Sequence, residues 1–287
     1  MARRALLGAL AGALAGAAAA RLAYTAFSRR PPVGDTETWE RTNHRGEQIT
    51  LLEGPAFAAG AAAAATVLPG LPARTRAAVL LAVTGSGALG AYDDLYGATA
   101  SKGFRGHLNA LAKGEVTSGA VKLFGIGVTG LAAAALTARR PVDVAIDGAL
   151  VAGSANLANL FDLRPGRAIK VGLLAGIPLL AAGVRRDDPV AAILAALPAG
   201  AALALLPEDL GERAMLGDAG ANALGALVGL AATATLGRPG RLAVLGTVVA
   251  LTAASERISF TRVIAANPVL NRIDMLGRRP VEQAPAD

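Results

Sequence analysis

The chain has 287 residues, of which 53% are hydrophobic and only 17% charged, with a mean hydropathy of +0.47. Soluble domains carry about 25% charged residues, so composition argues against a water-soluble globular protein, and the lack of cysteine removes disulfides and thiolate metal sites. A net charge of +7 could suggest nucleic acid, but the basic residues sit in short clusters between apolar runs, as in loops at a membrane surface.

Nine apolar segments follow in chain order, with approximate limits 5–27, 52–68, 76–92, 119–138, 141–157, 168–184, 189–206, 219–236 and 241–254. They predict an all-α, polytopic membrane protein with about nine transmembrane helices, forming one integral membrane domain over 1–287. Several are shorter than the ~20 residues a full span prefers, as happens where loops dip into protein-lined cavities. Ala and Gly dominate, which suits close helix packing in a bilayer. The first segment, with Arg3-Arg4 before it and Ala18-Ala-Ala20 near its end, also resembles a cleavable secretory signal. An uncleaved first span is preferred, because the loop after it belongs with the rest.

Lys and Arg orient the spans. The loops 28–51, 93–118, 158–167 and 207–218, the tail 255–287 and Lys170 hold sixteen of them, against ten on the other side. That bias predicts a cytoplasmic location for the first set, although Arg3 and Arg4 pull the other way. The same side then receives four carboxylates: Asp93 and Asp94 at the head of the 93–118 loop, Asp162, and Asp218 after Gly217. Lys102, Arg105, Arg164 and Arg167 lie nearby in sequence. Carboxylates beside basic residues suit a magnesium and phosphate site. Mg²⁺ takes oxygen ligands, commonly one or two carboxylates plus substrate phosphates, and Arg and Lys neutralise the remaining charge. The eighth segment begins just after Asp218, so the positive end of its dipole can face an anion.

The stretch Ser154-Ala-Asn-Leu-Ala-Asn-Leu-Phe-Asp162 places Asn156, Asn159 and Asp162 three apart. On a helix they face one way, and buried they need partners. They read either as a polar turn or as one wall of a site. An Asp-Asp pair at a helix end likewise reads as a solvated cap or as a functional pair. Asp143 and Asp147 share a face of the fifth segment. Asp143 is expected at the outer interface. Asp147 pairs with a neighbouring span or belongs to a site.

Taken together, Leu89-Gly-Ala-Tyr-Asp-Asp-Leu-Tyr-Gly97, Asn156-Leu-Ala-Asn-Leu-Phe-Asp162 and Met215-Leu-Gly-Asp-Ala-Gly-Ala-Asn-Ala-Leu-Gly225 resemble three successive motifs of the polyprenyl-phosphate N-acetylhexosamine-1-phosphate transferases. That superfamily includes the phospho-N-acetylmuramoyl-pentapeptide transferase. Thr42-Asn-His-Arg-Gly46 is similar to the family's first cytoplasmic loop, so the resemblance covers roughly 40–230.

The resemblance implies a multi-pass enzyme of the cell membrane with its active site on the cytoplasmic face. It would move a sugar-1-phosphate from a nucleotide sugar, UDP-linked, to a polyprenyl phosphate in cell-envelope glycan synthesis, with Mg²⁺ or Mn²⁺. It assigns Asp93, Asp94 and Asp162 to catalysis, and Asp218 with Asp94 to the metal. Asn156, Asn159, Lys102, Arg105, Arg164 and Arg167 would meet substrate. The implied partners are the nucleotide sugar, the lipid phosphate and membrane lipid, with no nucleic acid and with a homodimer as one assembly. The chain departs from the family in two places. Leu163-Arg-Pro-Gly-Arg167 follows Asp162 where Gly-rich sequence is usual, and its two histidines, His44 and His107, both come early. A transporter of lipid-linked sugar, or an inactive homologue serving as a scaffold, is the alternative class.

Overall fold

A computed structural model describes residues 3–97 and 114–280. The protein is all-α, 77% helical with 11 helices among the described residues. Each of the nine apolar segments falls on a helix: α1 (Arg3–Arg29), α2 (Glu53–Val67), α3 (Ala73–Tyr96), α4 (Ser118–Thr137), α5 (Pro141–Phe161), α6 (Arg167–Arg185), α7 (Pro189–Leu210), α8 (Gly217–Thr235) and α9 (Arg238–Ser255). Two short helices follow, α10 (Phe260–Ala266) and α11 (Pro268–Met275). Five helices, α1, α4, α5, α6 and α7, are long and apolar enough to cross a membrane. A sixth candidate is α9 with α10, a pair bent by 98°.

Several helices outrun the apolar segments that announced them. α3 continues to Tyr96, α5 to Phe161 and α7 to Leu210, so Asp93, Asp94 and Asn159 stand on helices rather than in loops. The expected loops 93–118, 158–167 and 207–218 shrink accordingly. Hydropathy marks only the apolar part of a helix. Backbone hydrogen bonding continues past it until a cap ends the helix. The loop 28–51 also contains a small hairpin that the all-α reading did not foresee. Strand β1 (Glu40–Thr42) pairs antiparallel with β2 (Gln48–Thr50), with Arg41 opposite Ile49. Thr50 and Met215 then join the hairpin to the loop before α8, through Met215 N–H donating to the Thr50 carbonyl at 3.0 Å.

The centre of the bundle is α8, fifteen of whose 19 residues are buried. It packs against α2, α3, α5, α6 and α7. Glycines set the depth of that packing. A Cβ on Gly90 would collide with the Asp218 carbonyl, one on Gly225 with the Ser154 carbonyl, and one on Gly54 with the Leu216 carbonyl. Helices in lipid gain no hydrophobic drive from meeting each other, so close backbone contact through small residues is what holds them. The antiparallel order of the helices brings the ends of α3, α5, α7 and α9 and the starts of α2, α4, α6 and α8 to one end of the bundle.

Valine at position 90 is expected to force α3 away from α8. The Gly90→Val protein in detergent should lose on the order of 1–3 kcal/mol of stability, the usual range for overpacking. Thermal unfolding measures this, and an unchanged unfolding temperature would show that the α3–α8 contact is looser than described.

Candidate functional site

The site grows from the end of α3. Both carboxylate oxygens of Asp94 accept from the start of α8: Oδ1 from Asp218 N–H at 3.0 Å and Oδ2 from Ala219 N–H at 2.9 Å. Free N–H groups at a helix start favour a carboxylate there. Gly217, at φ +57°, makes the approach; a Cβ on it would sit 3.0 Å from the Asp94 carboxylate. Arg41 of β1 donates to the Asp94 carbonyl and so ties the hairpin to α3.

Lys122, near the start of α4, joins the two remaining acids. Its Nζ lies 2.6 Å from Asp93 Oδ2 and also contacts Asp218 Oδ2. Lys122 lies within the fourth apolar segment and was not among the expected site residues. A lone lysine in an otherwise apolar helix was the available signal, since ionisable groups inside spans are usually functional. Asn222, one turn into α8, donates to the Asp218 carbonyl at 2.7 Å and steadies the same turn.

Asp162 caps the end of α5 and is buried, with Oδ2 lacking any hydrogen-bond partner. Burial pushes its pKa well above the usual carboxylate range, and the charges of Asp209, Asp218 and Asp94 push it further. Two more carboxylates missed in the sequence lie close by. Asp209, at the end of α7, accepts from Gly166 N–H at 2.9 Å and thereby holds the 162–166 loop. Glu53, at the start of α2, is fully buried with both oxygens unpartnered. Glu53 sits inside the segment 52–68, where a single acid does not change the hydropathy signal, while Asp209 sits beside Glu208 in the expected loop 207–218.

Three cavities meet around these groups. One, of about 350 Å³, is lined by Arg41, Asp94, Asn159, Asp162 and Asp218. A second, of about 210 Å³, shares Asp162 and adds Asn43, His44, Arg164, Asp209 and Glu212. Its floor is braced by Arg45, whose Nε donates to both Glu212 oxygens at 3.0 and 3.1 Å. Burial pulls His44 below its ordinary pKa; the facing Glu212 opposes this and Arg164, Arg278 and Arg45 add to it, which favours the neutral ring. The third, of about 450 Å³, is an apolar groove between α4, α5 and α9. Lys122, Asn156 and Asn222 are among its few polar residues, with Ile126, Leu245 and Val248 along its walls.

Asp93, Asp94, Asn159, Asp162 and Asp218 therefore converge, Asn156 faces the apolar groove and Arg164 the second cavity. Arg167 does not join them. It is buried at the start of α6, donating to Asp274 of α11 at 2.7 and 3.0 Å and to Thr261 of α10 at 2.9 Å. Its guanidinium is consumed in docking the tail helices, so the expectation that it meets substrate is corrected. Lys102 and Arg105 lie outside the described residues. Asp143 and Asp147 sit at the opposite end, paired with Arg238 and Arg241.

The donor set suits a hard cation. Its ligands would be carboxylate oxygens, and Asp162, one oxygen of which has no partner, lines the same cavity as Asp94 and Asp218. Among the described residues no three acidic or imidazole side chains form a ready-made cage.

A raised pKa at Asp162 has a predictable sign. The folded state holds a proton that the unfolded chain releases near its ordinary value of about 3.9, so stability falls as pH rises from there towards the folded value. In buffer containing a chelator, Asp162→Asn should raise the unfolding temperature relative to the wild type at pH 8 and give no gain at pH 4. An equal effect at both pH values would contradict the burial-driven shift.

No protein-family model matches this chain, and a search of curated proteins finds no match.

Proposed function

We propose that the chain is a Mg²⁺-dependent membrane phosphotransferase. It moves a sugar-1-phosphate from a nucleotide sugar, UDP-linked, to a polyprenyl phosphate, releasing a nucleoside monophosphate and leaving a lipid-linked diphosphate sugar for cell-envelope glycan synthesis. One observation carries the reading: the Lys122 ammonium bridges Asp93 and Asp218 at the polar end of an apolar groove. That juxtaposition suits a substrate with a phosphate head and a hydrocarbon tail. The order of the motifs around Asp93-Asp94, Asn156 to Asp162 and Asp218 supports the same family.

In this reading the lipid tail lies in the groove between α4, α5 and α9, and its phosphate reaches Lys122. A phosphate oxygen of the lipid attacks the donor phosphorus next to the sugar. The bond from that phosphorus to the nucleoside phosphate breaks, and the nucleoside monophosphate leaves. Asp93 accepts a proton from the lipid phosphate where one is present, and Lys122 keeps Asp93 ionised and turned towards it. Asp218 and Asp94 would hold the metal, which neutralises the charge of the diphosphate. Because both Asp94 oxygens already cap α8, its larger contribution is to fix Asp218 in place. Asn159 and Asp162 line the cavity beside that carboxylate, and Arg164 with Asn43 lines the pocket where the nucleotide would enter. Such catalysis is mostly positioning and charge neutralisation, and a rigid cluster at crossed helix ends suits it.

With α2, α3 and α8 taken as spans beside the five candidate spans and α9, the total is nine. In this reading the end carrying Asp93 and Asp218 lies in the cytoplasm, where the excess of Lys and Arg falls.

The test is purified protein with Mg²⁺, polyprenyl phosphate and a panel of nucleotide sugars, scored by release of nucleoside monophosphate. Lys122→Met, Asp93→Asn and Asp218→Asn should each lower kcat by roughly 10²-fold or more, the scale of losing one charge-stabilising group. Full activity in all three would remove the proposed roles. No release with any donor favours the scaffold reading.

A further inference from the structure

The helices that build the candidate site build a second polar cavity at their other ends. It has a volume of about 390 Å³ and is lined among others by Thr75, Arg139, Arg140, Asp143, Asp147 and Arg241. These residues come from the start of α3, the α4–α5 turn, the start of α5 and the start of α9. The cavity is thus separated from Lys122 by the length of the bundle.

Its charges do not cancel. Asp147 is buried, and both its oxygens accept from Arg241 Nη1 at 2.7 and 2.8 Å. Asp143 accepts from Arg238 Nε and Nη2, both at 2.9 Å. Each acid is therefore matched by one arginine. Arg139 and Arg140 remain, both exposed on the α4–α5 turn, and neither forms an ion pair among the described residues. Arg241 also keeps a buried Nε that has no acceptor. A buried N–H without an acceptor costs free energy that a bound acceptor would recover. Two surplus positive charges with an unfilled guanidinium donor call for a ligand that only accepts and carries negative charge. Phosphate has that character, and the guanidinium fork matches it.

We propose that this cavity binds a phosphate group, on the membrane face opposite the candidate active site. The inference rests on the cavity's own residues and holds whether or not the chain transfers sugar phosphates. The phosphate could be carried by a lipid headgroup or be free in solution, and the two sources are separable.

The experiment uses the full chain purified in detergent. Native mass spectrometry reads retention of phosphatidylglycerol against a phosphate-free galactosyl diacylglycerol, and calorimetric titration reads inorganic phosphate. The wild type should retain the phosphate-bearing lipid or bind inorganic phosphate. Arg139→Gln with Arg140→Gln should lose at least 10-fold of that binding, and Arg139→Lys with Arg140→Lys should recover part of it. Arg185→Gln, an exposed change at the same end but outside the cavity, should behave as the wild type. Thermal unfolding of each variant shows that it is folded. Binding of phosphatidylglycerol alone assigns the site to a headgroup, and binding of inorganic phosphate as well assigns it to the phosphate itself. A wild type that binds neither, equal retention of the galactolipid, or a Gln pair that binds like the wild type each overturns the proposal.

Discussion

The geometry of the site depends on one contact, the bridge from Lys122 to Asp93 and Asp218. Two ionised carboxylates from different helices repel each other at the edge of an apolar bundle, and a cation between them removes that cost. The lysine supplies that cation and fixes the distance between α3, α4 and α8. Asp94 completes the arrangement by taking the first free N–H groups of α8. The acids that would do chemistry are thus held by the same interactions that join the helices. A substrate phosphate or metal entering the site would compete with Lys122 for its partners, and that competition is the means by which binding could be felt along three helices.

Such a cluster requires the helices to come very close, and the glycines allow it. Gly90, Gly54 and Gly225 each lie against a backbone carbonyl or its neighbours on a facing helix, where any side chain would intrude. Around this centre α1, α4, α5, α6 and α7 are long and apolar enough to cross a bilayer. The tail is tied in differently, by a buried guanidinium–carboxylate pair between Arg167 and Asp274 that Arg278 also joins. Burial disfavours the charge on Asp274, yet the hydrogen bond and charge of Arg167, with Arg278, hold its pKa below the ordinary range. Removing either partner of such a pair strands a buried charge, so the tail helices stay docked beside the site.

Much of this was legible in the sequence. Hydropathy located the nine helices because lipid-facing and buried faces are both apolar. Spacing brought Asp93, Asp94, Asp162 and Asp218 to one end because consecutive helices alternate direction. Other features left no such trace. Lys122 and Glu53 are single charged residues in apolar runs and Asp209 stands beside Glu208 in an expected loop, and only the fold shows that they lie at the site. Arg167 looked like Arg164 because both follow Asp162 in one short loop; one begins a helix and turns inward to Asp274, while the other stays at the cavity rim. The hairpin over 40–50 is too short for a period-2 pattern to declare itself, and its register is set by pairing with the loop before α8.

The central claim is that phosphorus moves from a nucleotide sugar to a lipid at the Lys122 cluster. The most direct measurement follows a donor radiolabelled in the phosphate next to the sugar, incubated with the purified chain, Mg²⁺ and polyprenyl phosphate, then partitioned between water and organic solvent. The account predicts that the label passes into the organic phase together with the sugar, in equal amount to the nucleoside monophosphate released. Label that stays in the aqueous phase while nucleotide is released would contradict transfer to lipid and point to simple hydrolysis instead.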